Sequence, residues 1–226
     1  MNLIAIGNKA RQGKDTLAEM LMRLLPGSSV ITHFADPLKE ELQNLNNPLP
    51  LVFRKKCNGT LYYFLYNGEK YDAINAKLVP KLHKIFTDRK IKEYQGMTEK
   101  DSEMLQFWGT DYRRVFYSED FWVRKMNSKL LQLAQTYKTV IIADCRNLNE
   151  FESVKSQHGV YVSIKRILLN DTQFIDPNRD PNHISEIALD NITADYSLVV
   201  KDNDMIEFEE KATQLAKTLK ERFKLK

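Results

Sequence analysis

Gly7-Asn8-Lys9-Ala10-Arg11-Gln12-Gly13-Lys14-Asp15-Thr16 follows the apolar run Leu3-Ile4-Ala5-Ile6 and precedes Leu17, Met20, Leu21 and Leu24 at helical spacing. Strand, glycine-bearing turn, helix is the layout of a phosphate-binding loop. A turn between a strand and a helix start aims several backbone N–H groups at one point, and the helix dipole adds partial positive charge there. Lys14, directly after Gly13, is placed to lie along the terminal phosphates of a nucleotide, and Lys9 and Arg11 add charge that an ordinary turn has no reason to gather. Two departures from the pattern G-x-x-x-x-G-K-[ST] stand out. Asn8 occupies the first glycine position, with Gly7 one residue early, and Asp15 precedes Thr16 where a hydroxyl is expected next to the lysine. Asn tolerates left-handed backbone better than most residues, and Asp and Thr both offer hard oxygens suited to Mg²⁺. The plain alternative is a basic strand-to-helix turn with no ligand.

Outward from this loop, the pattern alternates. Strands are predicted at 2–7, 29–34, 138–144, 159–165 and 196–200, and helices at about 14–25, 36–45, 102–116, 119–137, 147–157 and 204–224. Continuously apolar strands between helices predict an α/β fold with a parallel five-stranded sheet covered on both faces. In such sheets ligands sit at the carboxyl ends of the strands. Residues 46–100 break the rhythm: Asn46-Asn47-Pro48-Leu49-Pro50 precedes an aromatic run, Tyr62-Tyr63-Phe64-Leu65-Tyr66, that ends at Asn67-Gly68 and reads as a hairpin. They form an insertion or subdomain.

The 226 residues suffice for one large domain with an insert, and a hydrophobic share of 42% with 28% charged residues is that of a globular chain. The net charge of +4 is too small for a nucleic-acid-binding surface spread over the whole protein, so basic character has to be local to matter. Cys57 and Cys145 stand far apart, without the spacing of a zinc site or a disulfide framework, which points to a reducing, cytoplasmic setting. No apolar run approaches the roughly 18 residues of a membrane span, and no membrane partner is expected.

Other constellations fall where the predicted sheet places a site. In Phe34-Ala35-Asp36-Pro37-Leu38-Lys39, Asp36 stands at a helix N-cap with Pro37 first in the helix, a capping role or a binding one. Thr139-Val140-Ile141-Ile142-Ala143-Asp144-Cys145-Arg146 is a buried strand ending in a carboxylate and a guanidinium, so Asp144 is a candidate for the water shell of Mg²⁺ or a simple cap. Gln106-Phe107-Trp108-Gly109-Thr110-Asp111-Tyr112-Arg113-Arg114, with Trp122 close behind, gathers both tryptophans beside arginines and a carboxylate. That mixture suits stacking a base and grasping a phosphate, or a helix with Trp108 in the core. The proline-bounded segment Asp176 to Glu186 reads as a lid carrying Arg179, or as a solvated loop capped at Ser185. His183 and Glu186 are three apart with no third metal ligand in view, and are assigned to orienting that loop.

Taken together, Lys-Ala-Arg-x-Gly-Lys-Asp-Thr at 9–16, Phe-Ala-Asp-Pro-Leu-Lys at 34–39, Gln-x-Trp-Gly-Thr-Asp-x-x-Arg at 106–114, Asp-x-Arg at 144–146 with Asn149-Glu150, and His-x-Ser-Glu at 183–186 resemble the bacteriophage deoxynucleoside monophosphate kinases. The resemblance spans most of the chain in order, without a motif in 46–100. It implies a P-loop kinase fold, a three-layer α/β/α core of residues 1–45 and 101–226 with a lid at about 166–186, the insertion 46–100 lying near the acceptor site. It also implies transfer of the γ-phosphoryl of ATP, with Mg²⁺, to a deoxynucleoside monophosphate, in the host cytoplasm if phage-encoded. Carried over to this sequence, the donor phosphates fall to Asn8, Lys9, Ala10, Arg11, Gly13, Lys14, Asp15 and Thr16. Mg²⁺ falls to Asp15, Thr16 and Asp144, the transferring group to Lys14, Arg11 and Arg179, and the acceptor to Asp36, Lys39, Trp108, Asp111, Arg113 and Arg146.

Rival readings use the same loop. Kinases of phosphomevalonate or dephospho-coenzyme A share it without needing a tryptophan platform, and a nucleotide switch or a nucleic-acid-dependent ATPase shares it without consuming a monophosphate. The sequence leaves open the bases accepted, the choice between ribose and deoxyribose, and whether the chain forms a homodimer.

Overall fold

The computed structural model describes residues 1–43, 52–57, 60–66, 71–74, 105, 107–115, 117–177 and 180–225. In chain order the elements are β1 (Asn2–Gly7), α1 (Lys14–Leu24), β2 (Ser29–Thr32), α2 (Asp36–Gln43), β3 (Val52–Cys57), β4 (Thr60–Tyr66), β5 (Tyr71–Ile74), a π-helix (Phe107–Arg114), α3 (Phe121–Leu133), β6 (Thr139–Cys145), α4 (Leu148–Ser156), β7 (Val160–Ile167), α5 (Ile184–Ile187), β8 (Tyr196–Lys201) and α6 (Met205–Arg222). Contacts divide the chain into two units, Met1–Phe34 with Met126–Lys226, and Ala35–Lys125. The second unit takes in α2, β3, β4, β5 and the π-helix.

The first unit is built on a five-stranded, all-parallel sheet in the order β2-β6-β1-β7-β8. Counted in chain order those strands run second, third, first, fourth, fifth, so β1 lies in the middle. Its side chains alternate between two cores, as a period of two requires. Ile4 and Ile6 pack with Leu17 and Leu21 of α1 and with Phe208, Ala212, Leu215 and Leu219 of α6. Leu3 and Ala5 pack with Met126 and Leu130 of α3 and Val154 of α4. Helices therefore cover both faces, an arrangement compatible with three layers, and a strand buried on both sides has to read as a continuous apolar run. Burying an Ile or Leu of this kind contributes about 1.5–3 kcal/mol, so β1 and α1 are held by packing more than by helix propensity.

The strand direction changes its neighbour across β1: the chain steps to β2 and β6 on one side and to β7 and β8 on the other. That is a topological switch point, where the turns leaving adjacent strands diverge and open a crevice. Residues 8–13 leave β1 at this point. Predicted and observed strands agree to within two residues, β2 being the shortened one: it ends at Thr32, where His33 and Phe34 turn to side-chain partners of their own.

In the second unit, β3, β4 and β5 form an antiparallel sheet, with Val52 opposite Leu65 and Tyr66 opposite Tyr71. The predicted hairpin strand is β4; its Asn67-Gly68 turn lies outside the described residues. Asp36 is the first residue of α2, not its cap, because the Lys39 amide already donates to the Ala35 carbonyl at 3.0 Å. Pro37 consequently stands second, still within the turn where its missing N–H has no partner to lose. The helix predicted at 102–116 is a π-helix over 107–114, in which Gly109 meets Leu38 so closely that a β-carbon there would need that side chain to shift.

Candidate phosphate-binding site

Gly7 belongs to the sheet, not to the loop. A β-carbon there would overlap the Tyr161 ring and the Cys145 carbonyl, so only glycine lets β1 pass between β6 and β7 at this height. The loop begins with Asn8, whose φ of 116° is one that side chains rarely adopt. Two side-chain bonds compensate: Oδ1 accepts the Lys9 amide at 2.7 Å and Nδ2 donates to Ser163 Oγ at 3.1 Å. This accounts for an asparagine where the sequence pattern asks for glycine. Arg11 (φ 55°) and Gly13 (φ 97°) supply the other left-handed turns.

Gly13 is the N-cap of α1, and no side chain among the described residues caps that helix. The first N–H groups of α1 have no intrahelical partner by geometry, and Gly13 adds no side-chain oxygen to screen them. Lys14 is only 5% exposed, and its ammonium donates to the carbonyls of Asn8 and Lys9, closing the turn on itself. Burial, and then the nearby Arg146, lower its pKa from 10.5 to about 7, against the opposing pull of Glu186, Asp144 and Asp15. A buried amine so poised gains most from an added anion.

Segments from the far end of the chain hold the loop. Gln12 is fully buried: Nε2 donates to the Phe174 carbonyl at 2.9 Å and the Ala10 carbonyl at 3.3 Å, while Oε1 accepts the Arg166 amide at 2.7 Å. Lys9 Nζ donates to the Glu186 carbonyl at 3.0 Å and to Asp190 at 2.9 Å. The Ala10 amide donates to the Glu186 carboxylate at 2.8 Å, and Arg146 Nη1 stands 3.3 Å from its other oxygen. Arg11 lies 3.2 Å from the buried Asp176. Beside these groups opens a depression lined by Lys9, Ile175, Asp176, Pro181 and Glu186.

No protein-family model matches the chain, and no curated protein matches it. Asp15, with its side chain 76% exposed, pairs with His33 at 2.9 Å, and Asp144 accepts the Phe34 amide. Thr16 is half-buried on the first turn of α1. Among the described residues no group of three or more His, Cys, Asp or Glu forms a closed metal cage. Mg²⁺ with a nucleotide keeps waters and phosphate oxygens and needs only one or two protein oxygens, and the oxygens of Asp15, Thr16 and Asp144 are of the hard type it takes.

The other named residues fall differently. Trp108 is fully buried, its Nε1 donating to Glu41 at 2.8 Å, and Trp122 donates to the Gly109 carbonyl at 2.8 Å. Arg113 is 4% exposed, donates to the same Glu41 oxygen at 2.6 Å, and lies within 4.7–5.6 Å of the ring centres of Trp108, Tyr112, Tyr117 and Phe121. Of the two readings of this segment, packing is the one that describes these side chains. Lys39 stays half-exposed, 3.8 Å from Asp36. The Asp111 side chain and Arg179 lie outside the described residues. Sequence reasoning passed over Gln12 and Asp190, for which no local signal existed. Glu150 serves in a capping box with Asn147 at the start of α4, a signature visible as Asn-x-x-Glu.

Proposed function

We propose that residues 8–16 bind the terminal phosphates of ATP and that the protein transfers the γ-phosphoryl group to a nucleoside monophosphate, in the manner of a P-loop kinase. The observation that carries this reading is the buried Lys14 amine at an uncapped helix start, at the carboxyl end of the central strand of a parallel sheet. Phosphoryl transfer asks for placement and charge neutralisation rather than covalent help. Lys14 and the amides of the loop would hold the donor phosphates, and Arg11, released from Asp176, would meet charge on the transferring group. Asp15, Thr16 and Asp144 would hold Mg²⁺, which when bound neutralises charge between the outer phosphates. The deoxynucleoside acceptor rests on the sequence resemblance alone.

A second reading has a specific observation in its favour. Both tryptophans are packed and hydrogen-bonded, and a platform for a base is the feature that separated nucleotide acceptors from other small phosphorylated acceptors. An ADP-release assay across deoxy- and ribonucleoside monophosphates decides between them. Turnover that requires a monophosphate supports the nucleotide kinase, and ADP release with water as the sole acceptor removes it.

A further inference from the structure

Glu186 is a buried acid whose carboxylate sits on the backbone of a loop otherwise made for anions. Its side chain is 5% exposed, Oε2 accepts the Ala10 amide at 2.8 Å, and Oε1 faces Arg146 at 3.3 Å. Its own carbonyl accepts the Lys9 ammonium at 3.0 Å, and the same ammonium reaches Asp190 at 2.9 Å. One amide, one guanidinium and one ammonium of the cradle are thereby engaged from the four-residue helix α5 and the turn that follows it. A carboxylate oxygen on a loop amide, with an arginine at the second oxygen, makes the contacts that a phosphate oxygen would make there. The partners are 176 residues apart in sequence, so the contact comes from the tertiary fold and not from local chain geometry.

We propose that Glu186 is an internal occupant of the phosphate cradle, a carboxylate plug that polyphosphate must displace, so that ligand binding is coupled to release of α5. This rests on the reading of residues 8–16 as a phosphate loop. A short helix suits the role, since four residues form one turn and little intrahelical bonding opposes its departure. The competition also sets a threshold: a ligand bringing one phosphate replaces a carboxylate at little gain, whereas a triphosphate brings further oxygens to Lys14 and the start of α1. A plug closed in nine molecules of ten lowers apparent affinity about tenfold.

The test measures binding of inorganic tripolyphosphate by calorimetry to the full chain, to Glu186→Gln and to Asp190→Asn. Each variant removes one negative charge that contacts the loop or its neighbour Arg146, but only the first discharges the group on the Ala10 amide, the second discharging the partner of Lys9. Tighter binding by about tenfold in Glu186→Gln, against about twofold in Asp190→Asn, supports the plug. Equal tightening in both variants, or none in Glu186→Gln, overturns it. Should Glu186→Gln not fold, hydrogen exchange on the unaltered protein serves instead. Tripolyphosphate should speed exchange at residues 184–190 while slowing it at residues 8–16, and slowing at both segments overturns the plug. Tripolyphosphate binding to the unaltered protein that is lost in Lys14→Ala sustains the phosphate loop whatever Glu186 does, and absence of binding to every chain removes both proposals.

Discussion

The loop at 8–16 and the aromatic segment at 107–122 hold the same kinds of residue, cations beside acids and a glycine, and fold them to opposite ends. Around the loop, backbone groups carry the arrangement: turns at Asn8, Arg11 and Gly13, carbonyls on Lys14, and an amide on Glu186. Its Lys9 lines a depression together with Ile175, Asp176, Pro181 and Glu186. In the aromatic segment Trp108, Tyr112, Arg113 and Trp122 turn inward, Arg113 lies against four rings, and one Glu41 oxygen takes bonds from both Trp108 and Arg113. A guanidinium can grasp a ligand or stitch a core, and residue type alone does not choose between them.

The largest expected effect breaks the comparison on the aromatic side. Glu41→Ala removes the carboxylate that both Trp108 and the buried Arg113 bond, and should cost about 3–5 kcal/mol, read as a shift in the denaturant midpoint. A change below 1 kcal/mol would mean that Arg113 is held for a ligand instead. Lys14→Ala should lower turnover by about 10²–10³ while leaving the far-ultraviolet spectrum unchanged, by analogy with removing one donor to developing charge. Retained turnover would detach the loop from catalysis. Asn8→Ala keeps the φ of 116° but loses both compensating bonds, and should destabilise by about 1–3 kcal/mol. Asn8→Gly should recover part of that in thermal unfolding, because glycine adopts this backbone without strain.

The remaining prediction is a pH dependence. The Lys14 pKa is about 7 in the folded chain against 10.5 ordinarily, so between these values the unfolded chain holds a proton that the folded one lacks. Stability from this group is therefore lowest below pH 7 and rises toward pH 10.5. Lys14→Met should flatten that rise relative to the unaltered protein in paired denaturant titrations. An identical slope in both would mean that the amine titrates normally in place.

Most of the sheet was legible because its signals are local. Leu3 to Ile6 and Val140 to Ala143 are apolar without interruption, and Phe208, Ala212, Leu215 and Leu219 mark one helical face. The turn between β1 and α1 was legible because Gly13 and the apolar runs on either side announce it. The wide π-turn at 107–114 was not, since no residue pattern in it distinguishes a π-helix from an α-helix. Neither was the role of Glu186, Gln12 or Asp190, whose partners lie more than 150 residues away. For the same reason Asn8 read as an anomaly until Ser163 came beside it.

The position of β1 has a consequence for how the chain is made. Of the five strands of this sheet the middle one leaves the ribosome before the others, and its partners begin at Thr139 and Val160. At translation rates of 5–20 residues per second, the nascent N-terminal segment waits on the order of ten seconds before either neighbour exists. During that wait Leu3, Ile4 and Ile6 have no sheet to join, which makes this stretch the natural substrate for a chaperone and the point where slow synthesis favours clumping over assembly.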